Sequence, residues 1–277
     1  MASAISSGIL KLPNELLIQV AENLPSHVDM NSLIRVNRRM SMVLRTPFLL
    51  YNIRHCKSSA IFWAVYDNDV QMANRLVKLG ADISSPRPFP DNPVNPDSNR
   101  FADKIPLHYA VQQGRLLIVA ILLAAKVDAT VRHDGQTPLA TAIAAKNAPI
   151  ARALISQTKD LEASINEEGK TALQMAIEAR LVDTVQYLVE RGAVITFKDE
   201  HAWIVNGLLQ DLDYWTEGKL KDAAITILGI LIMYRAEFPE KLHALGRAHS
   251  DARIRQLFVK ANMMALQESY RGISVLA

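Results

Sequence analysis

Three short strings decide the fold: Pro106-Leu107-His108-Tyr109-Ala110, Thr137-Pro138-Leu139-Ala140 and Thr171-Ala172-Leu173. Each has a residue suited to a helix's first turn followed by an apolar position, and Thr137 and Thr171 stand where a hydroxyl can cap the new helix. Their leucines, 107, 139 and 173, recur at steps of 32 and 34 residues. A fixed internal spacing of that size is the mark of a stacked repeat array, in which each unit buries its apolar face only against its neighbours.

A second offset supports the register. An apolar helix residue precedes a glycine-type turn by 19 residues in Ile61 to Gly80, Leu107 to Lys126 and Leu173 to Gly192. The same offset takes Leu139 to Thr158, where Asp160 occupies the place of Asp82 and Asp128. Beyond Thr196 the pattern blurs: Trp203 to Leu212 and Lys219 to Ala236 read as an elongated helix pair, and Leu242-His243-Ala244-Leu245 restarts the register. Ser250 can cap a last helix whose Ile254, Leu257, Phe258, Ala261 and Ala265 share one face.

These strings resemble the Thr-Pro-Leu-His start of ankyrin repeats, and Gly114, Leu79-Gly80-Ala81-Asp82 and Arg191-Gly192-Ala193 resemble that family's turns. The resemblance implies a solenoid over residues 57–277 with five or six units, an insertion at 84–104, an irregular unit at 197–238 and a helical C-terminal cap at 239–277. Ile105 replaces the capping Thr, Ala140 and Gln174 replace the His, and Asn147 replaces the turn Gly, which predicts a less regular array than an idealised one.

Residues 1–56 follow different rules. Leu12-Pro13-Asn14-Glu15-Leu16 opens a helix in which Leu16, Leu17, Val20, Ala21 and Leu24 recur at helical spacing until Pro25. Asp29 can cap a second helix carrying Leu33, Val36, Met40, Val43 and Leu44 on one face, and a third starts at Pro47. So small a block has little core of its own. The string resembles an F-box, the motif that hooks substrate receptors to the Skp adaptor of cullin-based ubiquitin ligases. Leu12, Pro13, Glu15, Leu16, Val20, Leu24, Leu33, Val36, Arg38 and Met40 carry the likeness, while Asn37 and Met40 stand where many F-boxes have cysteine and tryptophan.

The resemblance as a whole, to the F-box and ankyrin-repeat proteins common in filamentous fungi, implies an all-α chain: a three-helix F-box-like module, then an ankyrin-repeat solenoid. Its implied function is recruitment of an unidentified target protein to a Skp/cullin ligase. Leu12, Pro13, Leu16, Val20, Leu24, Leu33, Val36, Arg38 and Met40 would meet the adaptor, and the chain would be a monomer outside that complex. Two other classes stay open, an ankyrin scaffold without a ligase role and an enzyme or small-molecule binder with a pocket on the concave face.

Charge agrees with an acidic partner for the first block. Of 31 Lys/Arg and 28 Asp/Glu, residues 1–60 hold 7 and 3. Arg35, Arg38, Arg39 and Arg45 come without an aromatic stacking motif, which argues against nucleic acid. The insertion carries Pro86, Pro88, Pro90, Pro93 and Pro96, and its Arg87, Phe89, Arg100 and Phe101 are candidates for reaching a ligand. His108 and Tyr109 on a helix, His133-Asp134 at an expected hairpin tip, and the cluster Trp203, Asp211, Tyr214, Trp215 complete the target-facing candidates.

No nucleotide-binding, zinc-protease or serine-hydrolase motif is present, so no catalytic residue, cofactor or metal is expected. Cys56 is the single cysteine, which precludes an internal disulfide and suits a reducing compartment, cytosol or nucleus. The longest uncharged apolar stretch, Ala223 to Tyr234, is too short to span a membrane and reads as a buried helix.

Overall fold

A computed structural model describes residues 8–9, 11–24, 27–56, 58–84, 104–194, 207–209, 218–234 and 240–274. Among these the chain is all-helical, with a single isolated bridge, His133 to Gln136, in place of any strand. It divides into two compact units, Met1–Asp128 and Ala129–Ala277, so the first unit runs well past Cys56 and includes the first two helix pairs.

In the first unit, α1 (Asn14–Glu22), α2 (His27–Ile34) and α3 (Arg38–His55) form the N-terminal module. The pairs α4 (Ala60–Tyr66) with α5 (Val70–Lys78) and α6 (Pro106–Gln112) with α7 (Leu116–Ala124) stack upon one another, α4 on α6 and α5 on α7. The second unit stacks α8 (Pro138–Ala144) and α9 (Ala148–Gln157) on α10 (Ala172–Glu178) and α11 (Val182–Glu190). The long α12 (Lys219–Met233) then lies against α11 and α14 (Ala252–Ser274), and α14 pairs with α13 (Glu240–Ala248).

The helix starts follow the sequence chemistry. Thr137 Oγ1 accepts from the Ala140 N–H at 3.2 Å, and Pro138 fills the first turn where its missing donor costs nothing. Thr171 closes a reciprocal capping box with Gln174: the Gln174 N–H donates to Thr171 Oγ1 and the Thr171 N–H to Gln174 Oε1. The glutamine expected to weaken this repeat therefore caps it. Ile105, without a side-chain acceptor, leaves α6 uncapped by any side chain.

The inter-helix turns correct one assignment. Asn68, Gly114, Lys146 and Arg180 occupy the equivalent left-handed position, with φ of 55°, 68°, 54° and 59°. The turn glycine is thus replaced by Lys146, and Asn147 instead caps α9 by accepting the Ile150 N–H at 3.2 Å. Lys126 takes φ 60°, matching Gly80 and Gly192, whereas Thr158 is extended at φ −77°, ψ 126°, and Asp160 takes the N–H groups of Glu162 and Ala163.

The last helix is held by charge. Asp251 accepts the Arg253 N–H at 2.9 Å at the start of α14. Its carboxylate also pairs with Arg253 and with Lys221 of α12 at 3.2 Å, and Arg253 reaches Asp222. These partners, Arg253 foremost, hold the Asp251 carboxyl well below the usual carboxylate range. Apolar packing completes the join: Ile254 and Phe258 are fully buried, and a Cβ on Gly246 of α13 would collide with the Phe258 ring.

Two outcomes follow from these contacts. A depressed carboxyl stabilises the fold above its unfolded pKa and loses that stabilisation as pH falls toward the folded value. Urea titrations should accordingly show wild type losing more stability than Asp251→Asn between about pH 5 and pH 2; equal losses would contradict the linkage. Lys126→Gly and Lys146→Gly, which remove an exposed β-carbon from a left-handed backbone, should each raise stability by about 0.5–1 kcal/mol in the same assay.

Candidate functional site

The N-terminal module has a core of four fully buried side chains, Leu17 and Ala21 from α1 and Met40 and Leu44 from α3. Leu12, Leu24, Leu33, Phe48 and Tyr51 are packed partly against it. Helical geometry limits what so small a centre can cover. Leu17 and Ala21, four apart, point inward, which turns Leu16 and Val20 to the outside at 44% and 36% exposure. Val36, in the turn before α3, is 53% exposed.

The expected adaptor-facing set is therefore divided. Leu16, Val20, Val36, Pro13 and Arg38 are accessible, and Leu12, Leu24 and Leu33 partly so. Met40 is withdrawn from any contact surface, since α3 turns it into the core. The local structure explains the difference from the sequence reading. Asn37 accepts the Met40 N–H at 2.8 Å and starts a new helix, so the single face expected from Leu33 to Leu44 is broken into α2 and α3. Pro47, expected to open a third helix, lies inside α3. Pro13 precedes α1 as its N-cap, and Arg39 of α3 ties that end down by donating to the Leu12 carbonyl and Asn14 Oδ1 at 2.6 and 2.9 Å.

A buried polar joint couples this module to the first repeat. Asn52, 5% exposed, accepts the Ala60 N–H at its Oδ1 at 2.9 Å and donates through Nδ2 to Ser59 Oγ at 3.1 Å. Its carbonyl receives the Cys56 and Ser58 N–H groups, and Ser58 Oγ accepts the Asp82 N–H from the far end of the repeat. Cys56 lies half-buried beside this joint with its thiol pushed up by burial, which disfavours the nucleophilic thiolate.

Of the target-facing candidates in the first unit, His108 and Tyr109 are packed instead of presented, at 5% and 3% exposure. Their helix sits in the stack, the Tyr109 ring lies 6.3 Å from Phe62, and the Lys104 ammonium covers it at 5.4 Å. Among the described residues of this unit the exposed aromatic is Tyr66, 48% accessible, with Trp63 edge-on to it at 6.2 Å. Sequence reasoning missed both, although Ile61 stands in register with Leu107 and so places Trp63 at the position of Tyr109.

In the second unit His133 and Asp134 do form a hairpin tip. The His133 and Gln136 backbones bond reciprocally, and Asp134 and Gly135 both have positive φ, as a two-residue hairpin turn requires. Asp134 projects into solvent with its side chain 90% exposed, while His133 is 23% exposed at its side chain. Arg132 fastens this hairpin to the following loop by donating to the carbonyls of Gly135, Ser164 and Asn166 and to Ser164 Oγ. Arg87, Phe89, Arg100, Phe101, Trp203, Asp211, Tyr214 and Trp215 lie outside the described residues. Among the described residues no group of three or more His, Cys, Asp or Glu is gathered as a metal site would need, and no helix is long and apolar enough to cross a membrane.

Residues 107–199 match the family model for ankyrin repeats in three copies. Those residues carry ankyrin repeats. A solved ankyrin repeat domain from Acinetobacter baumannii AYE is similar, with a TM-score of 0.56 and 17% identity over 73% of this chain and 97% of that one. Identity that low speaks to the fold alone. No curated protein matches the chain. An ankyrin array suggests a scaffold for protein–protein interaction, since its stacked units present a continuous surface.

Removing the joint should be felt at once. Asn52→Ala leaves the buried Ala60 N–H without its acceptor, and a loss of about 2–3 kcal/mol is expected in chemical denaturation of the full chain. A loss below about 0.5 kcal/mol would show the network to be incidental.

Proposed function

We propose that the chain recruits a target protein to a cullin-type ubiquitin ligase, docking a Skp adaptor through its N-terminal module and holding the target on its ankyrin repeats. One observation carries this reading: Leu16 and Val20 form an exposed apolar pair on α1 although the module has a closed core on the other side of the same helix. An isolated exposed leucine is ordinary, but an adjacent pair at helical spacing, near the resembling Leu-Pro-x-Glu-Leu start, suits burial under a partner's helix. The surplus of basic residues in this block would speed approach to an acidic adaptor without supplying most of the affinity.

On this reading the protein makes no covalent bond itself. The array supplies selection, through side chains such as Tyr66 and Asp134 that its turns and helix faces expose, and the remaining ligase subunits supply the chemistry. Binding of the full chain to a purified Skp adaptor, followed calorimetrically, is expected at micromolar or tighter affinity. Leu16→Asp with Val20→Asp should weaken it at least about 30-fold, because charge replaces buried apolar surface, while leaving the melting temperature unchanged. Absence of binding, or binding indifferent to both substitutions, would refute the proposal.

A further inference from the structure

Helix α7 contains only leucine, isoleucine, valine and alanine, although just one side of it turns into the stack. Ile118, Val119, Leu122 and Leu123 are the buried side. Leu117, Ala120 and Ala124 face outward with Ile121 half-buried beside them, and Leu117 is 63% exposed. In the repeat register these outer positions are polar elsewhere. On α5 they are Gln71, Asn74, Arg75 and Lys78, all exposed, and they include Arg152 on α9 and Asp183 and Glu190 on α11. An apolar outer stripe on one helix of four marks an interaction surface.

The stripe is complementary to itself. A two-fold interface must bring unlike groups of the same surface together, and an antiparallel crossing of α7 centred between Ala120 and Ile121 does so. Leu117 falls opposite the partner's Ala124, and Ala120 opposite the partner's Ile121, so each protruding side chain meets a small one. Helix α5, which packs beside α7, is carried into the same pairing. Gln71 then stands opposite the partner's Lys78 and Asn74 opposite the partner's Arg75, amide oxygens against cations. The acidic turn from Asp67 to Asp69 lies just beyond Gln71, on the side of the partner's Lys78. Arg115, at the start of α7, is held at the Tyr66 carbonyl at 3.3 Å instead of projecting toward the partner's Lys126.

We propose that the chain self-associates as a two-fold dimer through the outer faces of α5 and α7. A bilayer is a poorer occupant, because alanine at two of the four positions brings little surface into lipid, whereas a facing helix fills the recess the alanines leave. Two helices about 13 Å long and about 10 Å apart offer roughly 300–400 Å² on each copy, half or less of the ~800 Å² of a standard interface. The dimer is therefore weak, with a dissociation constant of about 0.1 mM, and replaces at high concentration the monomer that the resemblance implies. It leaves α1 untouched and does not rest on adaptor docking.

Sedimentation velocity of the full chain, without adaptor, from about 5 to about 500 µM tests this. The average mass should rise from one chain toward two. Leu117→Glu, at an exposed position, should weaken association at least about tenfold with the melting temperature unchanged. Gln71→Glu sets a carboxylate opposite the partner's Lys78 twice per dimer and should tighten association about three- to tenfold at low salt, while Gln71→Lys should weaken it by a similar factor. A chain still monomeric at about 500 µM overturns the proposal. So does association that ignores Leu117→Glu or shifts alike in both Gln71 variants. Flotation with phosphatidylserine vesicles in place of self-association, lost in Leu117→Glu, would give the face to lipid and overturn it too.

Discussion

The buried amide of Asn52 is the constraint on which the first unit depends. A three-helix module with four fully buried core side chains has little apolar surface to spare for orienting itself against a repeat stack. Asn52 joins the end of α3 to the start of α4, and Ser58 extends the connection to Asp82 beyond α5. A network whose members are all paired is directional in a way apolar packing is not, so it specifies one arrangement of module and repeat. The exposed face of α1 is thereby carried on a defined platform.

The same economy of core explains why that face is exposed. One stripe of α1, Leu17 and Ala21, suffices to meet Met40 and Leu44, and among the described residues Leu16 and Val20 stay exposed. The repeat units solve the problem differently: in the first unit α4 and α7 cover α6, which is why His108 and Tyr109 are enclosed. Among the described residues of the repeats, the exposed positions include Tyr66 and the hairpin tip at Asp134.

Most of the repeat fold was legible because its signals are local. A capping Thr, a Pro in the first turn and an apolar residue at fixed spacing each act within a few residues, and they recur at Thr137 and Thr171 where expected. Errors arose where a side chain's role depends on its surroundings. Gln174 stands where an ankyrin repeat has histidine yet is half of a capping box; Asn147 stands beside the turn-glycine position and is a cap, with Lys146 bearing the strained backbone. Periodicity ran Leu33 to Leu44 together because Val36 and Met40 fit the helical interval, and only the Asn37 bond to Met40 reveals the break. Burial was least legible: Met40, His108 and Tyr109 were read as contact residues, yet whether a helical position faces a partner or a neighbouring repeat depends on distant chain.

The central claim is that the N-terminal module, and not the array, receives the adaptor. Hydrogen exchange of the full chain with and without a saturating Skp adaptor addresses it directly. The account predicts slowed exchange across α1 to α3 with the repeats from Pro106 to Glu190 unchanged. Protection falling on the repeats alone, or no protection at all, would contradict it.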